Sequence, residues 1–163
     1  MTVEQQVRAP RRDIPVFPSD PSQLVVGDRL DTYYRKLFGW SVRWQDRRLF
    51  LVLENSLCAV TVPKLTSGRI LDSLLATGCA GPILDLRTPQ GGRLAILAET
   101  DGLVPPPDSL PRGVERLDSG VLLPLPMNPR PANPPVEWLR APDPRHRWLP
   151  SMSAILASIQ FPR

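Results

Sequence analysis

Thirteen of the chain's 21 prolines fall between Asp101 and Pro150, and this crowding limits the possible folds more than any other feature. Proline fixes its own φ, lacks an amide donor and pushes the preceding residue toward extended backbone. A long helix cannot run through such a stretch, so residues 101–150 are expected to be extended segments and turns. The periodic part of the sequence lies upstream, and 163 residues suit one domain.

Apolar side chains at Leu24, Leu30, Tyr33, Tyr34, Leu37 and Phe38 recur near helical spacing. This predicts a helix that starts near Gly27 or Asp28 and stops at Gly39. Residues 1–23 carry Arg8, Arg11, Arg12 and four prolines with few contiguous apolar residues, the pattern of a flexible or loosely docked basic arm. The folded domain is therefore expected to span residues 24–163. Three strand-like runs follow the helix, Ser41–Gln45, Arg48–Glu54 and Leu57–Val62. The breaks between them, Asp46-Arg47 and Asn55-Ser56, are short enough for antiparallel hairpins.

Ser67–Thr77 then reads as a second helix, with Ile70, Leu71, Leu74 and Leu75 on one face and Gly78 just past its end. Pro82–Leu86 and Arg93–Glu99 form a second hairpin around a Thr88–Gly92 loop, and Gly113–Leu117 and Gly120–Leu125 are short strands. Pro124–Pro135 reads as an extended strap that buries Leu125 and Met127. After Pro150, Ser151 can cap a last helix with a Met152, Ile155, Leu156 and Ile159 stripe. Strands and helices do not alternate regularly. The fold class expected is α+β, a largely antiparallel sheet flanked by helices, with a proline-rich strap and a terminal helix.

Several function classes drop out. No window approaches the roughly 18 consecutive apolar residues of a membrane span, and the start lacks an apolar secretion segment. A cytoplasmic protein without a membrane partner is expected. Cys58 and Cys79 have no metal-ligand spacing and read as ordinary thiols of a reducing compartment. The single histidine, His146, stands between two arginines in a proline-flanked loop, a setting that argues against a histidine-based zinc site and against a Ser-His-Asp triad. No metal and no cofactor is expected. Twenty Lys and Arg against 16 Asp and Glu give a formal charge of +4, which permits anionic partners.

Some residues admit two readings. Gly91-Gly92 could let backbone approach a phosphate, or could simply turn a hairpin. Arg87 and Arg93 beside that loop could clamp an anion or face solvent. Arg47-Arg48 could grip a nucleic-acid backbone, although a hairpin tip commonly carries charge for solubility. Trp40, Trp44, Tyr33 and Tyr34 fit core packing better than base stacking. Pro142–Trp148 could dock a partner, or Arg could stack on Trp148 within the chain.

Three segments, in order, resemble the primase-polymerase domain of bifunctional DNA primase/polymerases, a branch of the archaeo-eukaryotic primase superfamily. Lys36-Leu37-Phe38-Gly39-Trp40-Ser41-Val42 is similar to that family's helix end and Gly-Trp-x-Val turn. Arg87-Thr88-Pro89-Gln90-Gly91-Gly92-Arg93-Leu94 is similar to its Thr-Pro-Ser-Gly-Gly-x-His loop. Arg116-Leu117-Asp118-Ser119-Gly120-Val121-Leu122-Leu123-Pro124-Leu125-Pro126, followed by Glu137-Trp138-Leu139, is similar to its Arg-x-Asp-Gly-Gly-Tyr-Val-Val-x-Pro-Pro strand and the tryptophan after it.

The resemblance implies a phosphoryl-transfer site with metal ions held by an Asp-x-Asp strand, since hard divalent cations need anionic oxygens. The corresponding strand here, Leu57–Val62, offers Ala59 and Thr61 and no carboxylate. The motif histidine falls on Leu94, and the third acidic position falls near Val114 or, one residue on, at Glu115. Loss of preorganised charge at a reacting phosphate costs orders of magnitude in rate. The expectation is a catalytically inactive relative that binds single-stranded nucleic acid or a nucleotide through Arg47, Arg48, Arg87, Gly91, Gly92 and Arg93. A protein-interaction or scaffolding module built on the proline-rich region, without nucleic-acid binding, is the other reading. Residual catalysis through Asp72 or Asp85 is the third.

Overall fold

A computed structural model describes residues 28–127 and 130–160; the basic arm at 1–23 and the first residues of the helical window lie outside the described residues. The fold is α+β, with three helices and two antiparallel sheets among the described residues. Helix α1 (Asp28–Phe38) leads into strands β1 (Val42–Gln45), β2 (Arg48–Val52) and β3 (Leu57–Pro63). A short 3₁₀ turn at Lys64–Thr66 precedes α2 (Gly68–Ala76), and β4 (Ile83–Thr88) and β5 (Gly91–Glu99) follow. The proline-rich part supplies β6 (Glu115–Leu117), β7 (Leu122–Pro124) and β8 (Val136–Arg140), and α3 (Met152–Gln160) closes the described chain.

The strands form a three-stranded sheet, β1-β2-β7, and a five-stranded sheet, β6-β3-β5-β4-β8. This bears out a hairpin between β1 and β2 and corrects the expectation of a second one between β2 and β3. Asn55 (φ +52°) and Ser56 (φ +75°) do make a tight turn, closed by the Leu57 N–H on the Glu54 carbonyl at 3.0 Å, but β2 and β3 then part company. β2 alternates exposed or half-buried with buried residues and suits a sheet covered on one side. In β3, Leu57 through Val62 are all buried, so this strand requires cover on both faces and lies inside the larger sheet between β5 and β6. Leu53 instead meets the β6–β7 turn, donating to the Val121 carbonyl at 3.0 Å and accepting from the Gly120 N–H at 2.8 Å.

Two core layers flank the five-stranded sheet. On one face Leu57, Ala59, Leu84, Ala95 and Leu97 pack with Leu30, Tyr33 and Tyr34 of α1 and with Leu49, Leu51 and Leu123 of the small sheet. On the other, Cys58, Val60, Val62, Leu94 and Ile96 pack with Leu74 of α2 and Met152, Ile155 and Ile159 of α3. The period-2 alternation of β3 and β5 assigns each side chain to its layer. Each fully buried leucine contributes about 1.5–3 kcal/mol relative to an exposed one. Trp40 joins the first layer, stacked on Tyr34 with ring centroids 5.9 Å apart and planes at 10°. Trp44, by contrast, is 38% exposed on β1.

The helix ends follow the sequence signals. At the end of α2, Gly78 (φ +69°) lets its own N–H reach the Leu75 carbonyl at 3.2 Å and the Cys79 N–H reach that of Leu74 at 2.9 Å. Ser151 Oγ accepts the Ala154 N–H at 3.2 Å and caps α3, and Asp101 Oδ2 accepts the Ser153 N–H at 3.3 Å. The strand β8 is absent from the sequence reading, which stopped its strands at Leu125. It lies at the edge of the larger sheet beside β4, with Pro135 just outside it accepting the Arg87 N–H at 2.9 Å. No helix among the described residues is long and apolar enough to cross a membrane.

Candidate functional site

Thr61 lies opposite Ala95 of β5 on one side and Glu115 of β6 on the other. Arg93, two residues before Ala95 and on the same face of β5, donates through Nη2 to Thr61 Oγ1 at 2.7 Å and to the Gly113 carbonyl at 2.8 Å, and reaches Glu115 Oε1 at 3.5 Å. Thr61, Arg93 and Glu115 therefore meet on one face of the large sheet. Ala59 shares that face by alternation and is fully buried in the first core layer. Leu94 does not join them: it is 1% exposed and belongs to the opposite core layer. The centre of this cluster is a guanidinium, which satisfies the hydroxyl and the carboxylate beside it and repels a metal cation. Among the described residues no three His, Cys, Asp or Glu gather as a metal-ligand set.

The same sheet face continues into a cleft. Leu86, the cross-strand partner of Arg93, and Leu117, the partner of Ala59, both line a cavity of about 940 Å³. Its other walls are β2, β7, β8 and, between the last two, residues 125–127 with Arg130, Pro131, Pro134 and Pro135; Tyr34 of α1 also contributes. Phe50 and Trp138 add aromatic surface. Among the described residues, the charged members of its lining are Arg48, Arg87, Arg130 and Glu137. Glu137 stands between two of the arginines, with Arg87 Nη2 at 3.4 Å from Oε2 and Arg130 Nη2 paired to Oε1.

Of the six contacts expected from sequence, Arg48 and Arg87 line this cleft, and Arg93 lies beside it in the Thr61 cluster. Arg47 occupies an exposed left-handed position (φ +61°) in the β1–β2 turn and is not in the lining. Gly91 and Gly92 are strand residues of β5, opposite Thr88 and Arg87, and the turn of the hairpin is Pro89-Gln90. Gly92 serves close packing, since a Cβ there would come within 2.8 Å of Lys64 Cδ. Lys64 in turn pairs with Asp85, whose other oxygen, Oδ1, is buried without a hydrogen-bond partner. Asp72 is exposed on α2, whereas Asp85 is buried on β4.

Arg130, Glu137 and Phe50 are the cleft residues that the sequence reading did not single out. Arg130 sits among prolines, and only the resemblance drew notice to Glu137. The cross-strand register places Glu137 opposite Asp85 on β4, and no periodicity in the sequence encodes that pairing. No protein-family model, curated protein or solved structure matches the chain. Fold and site together define an α+β domain with an arginine-rimmed cleft whose neighbouring strand carries Ala59 and Thr61.

Proposed function

We propose that the chain is a catalytically inactive primase-polymerase-like domain that binds single-stranded nucleic acid or a nucleotide in the cleft bordered by Arg48, Arg87 and Arg130. The observation that carries this reading is the charge balance of the lining among the described residues: three arginines, Arg48, Arg87 and Arg130, against one carboxylate, Glu137, around apolar and aromatic walls. Phosphate oxygens would meet the guanidinium groups, and Phe50 offers a ring on which a base can stack. The ordered motif resemblance supports the family reading. The want of catalysis rests on Ala59 and Thr61, because a phosphoryl-transfer metal pair has no carboxylate on that strand to hold it. The free thiols Cys58 and Cys79 fit a reducing cytoplasm.

Fluorescence anisotropy with a labelled single-stranded oligonucleotide tests the reading. Binding at low salt that weakens linearly with the logarithm of salt concentration, and weakens further in Arg48→Gln and Arg87→Gln, is the expected result. No binding at low salt overturns it. Primer extension with Mn²⁺ or Mg²⁺ should give no product.

A scaffolding role for the proline-rich region is favoured by one observation, the exposure of Trp148 (60%) and Leu139 (51%) in that half of the chain. That role predicts a stable protein complex that survives nuclease treatment.

A further inference from the structure

Glu137 is half-buried on β8, and its two oxygens are taken by two different guanidinium groups that come from distant parts of the chain. Arg87 arrives from β4 and Arg130 from the wall between β7 and β8, and both line the cleft. Their side chains are 50% and 71% exposed. Each guanidinium has five donors and gives one contact to Glu137, so both retain donors for a second anion. The remaining charges of the cluster are nearly balanced: Asp85, opposite Glu137 in the register, is paired with Lys64.

We propose that Arg87 and Arg130 form a phosphate seat and that Glu137 is its internal occupant, a carboxylate that a phosphate group displaces when ligand binds. The inference rests on the cleft being the binding site and adds to it a named seat, a further contact residue and a built-in competitor. A carboxylate offers two oxygens and one charge. A phosphoryl group offers three oxygens and more charge in the same space, so it competes for the same donors. The carboxylate keeps two guanidinium groups converged before ligand arrives and, by the same contacts, weakens every anion that must replace it. Binding strength in this cleft is therefore set by Glu137 as much as by the arginines.

The test compares the full chain with Glu137→Gln, Arg130→Gln and the double variant. Pyrophosphate, a deoxynucleoside triphosphate and a single-stranded oligothymidine are titrated separately, so that free phosphate, nucleotide and strand can be told apart. Glu137→Gln should bind roughly three- to tenfold more tightly than the unsubstituted protein. Asp143→Asn, an equal change of charge at an exposed residue outside the cleft, should give a smaller gain. Arg130→Gln should bind more weakly, and the benefit of Glu137→Gln should shrink when Arg130 is also replaced. In the unsubstituted protein the guanidinium ¹⁵N resonances of Arg87 and Arg130 should move together on titration with pyrophosphate, a readout that needs no variant to fold. If the unsubstituted protein binds but Glu137→Gln binds no better than Asp143→Asn, or neither resonance moves, the seat is refuted while the cleft reading survives. If nothing binds any probe, both are refuted.

Discussion

The indole N–H of Trp138 donates to the phenol oxygen of Tyr34 at 3.0 Å, joining β8 to α1 across 104 residues of sequence. This bond locks the last strand of the large sheet to the helix that begins the described fold. Both residues also line the cleft, so the bond braces its floor. Trp138→Phe removes the donor while keeping most of the ring. The expected cost is about 1 kcal/mol, read as a lower urea midpoint with an unchanged m-value.

Ala59 and Thr61 share a sheet face but not an environment. Ala59 is sealed in the first core layer, whereas Thr61 faces Arg93 Nη2 at 2.7 Å. Ala59→Asp buries a carboxylate in apolar surroundings and should cost about 3 kcal/mol or more. Thr61→Asp places its charge beside a guanidinium and should fold with a loss below about 1.5 kcal/mol. Titration calorimetry of Thr61→Asp with Mn²⁺ should show no binding, because Arg93 takes the new carboxylate. A folded Ala59→Asp/Thr61→Asp protein that bound the ion tightly would contradict this.

Cys58 is 2% exposed and its thiol is pushed up from 9.0 to about 11, chiefly by burial, with Arg116 opposing the shift. The folded state thus holds this proton more firmly than the unfolded state. Its contribution is complete below about pH 9 and is lost as pH rises toward 11. Denaturation between pH 8 and 10.5 should show stability falling more steeply in the unsubstituted chain than in Cys58→Ala, by no more than about 3 kcal/mol in total. Thiol labelling at pH 8 should modify Cys79 first and reach Cys58 only on unfolding.

Gly113 has φ +81°, and its carbonyl is one of the three oxygens around the Arg93 guanidinium. A Cβ there would sit 2.8 Å from Pro63 Cγ. Gly113→Ala should therefore cost about 1–2 kcal/mol through left-handed strain and the clash with a rigid ring. Chemical denaturation checks the loss, and a crystal structure of the variant should show Arg93 shifted from the Gly113 carbonyl.

Local signals carried much of the fold. The α1 stripe of Leu30, Tyr33 and Tyr34, the Gly78 stop and the Ser151 cap each act within a few residues, and each is found where its pattern placed it. Pairings between distant strands were not legible. The tight turn at Asn55-Ser56 suggested a hairpin, yet burial on both faces of β3 outweighed it and drew the strand into the other sheet. β8 was hidden because Pro134 and Pro135 argue against a central strand, whereas an edge position tolerates them. At the site, Arg48 and Arg87 could be named from charge and position alone. Arg130 and Glu137 become neighbours of Arg87 only through the β4–β8 register and the path of the chain between β7 and β8.

The passage from β2 to β3 lies against the passage from β6 to β7, and Leu53 is bonded to both Gly120 and Val121 where they meet. Such a double stitch fastens the two crossings to each other beside the layer that Leu49, Leu51 and Leu123 share with the large sheet. Drawing one sheet off the other would break both hydrogen bonds and open that layer at the same time.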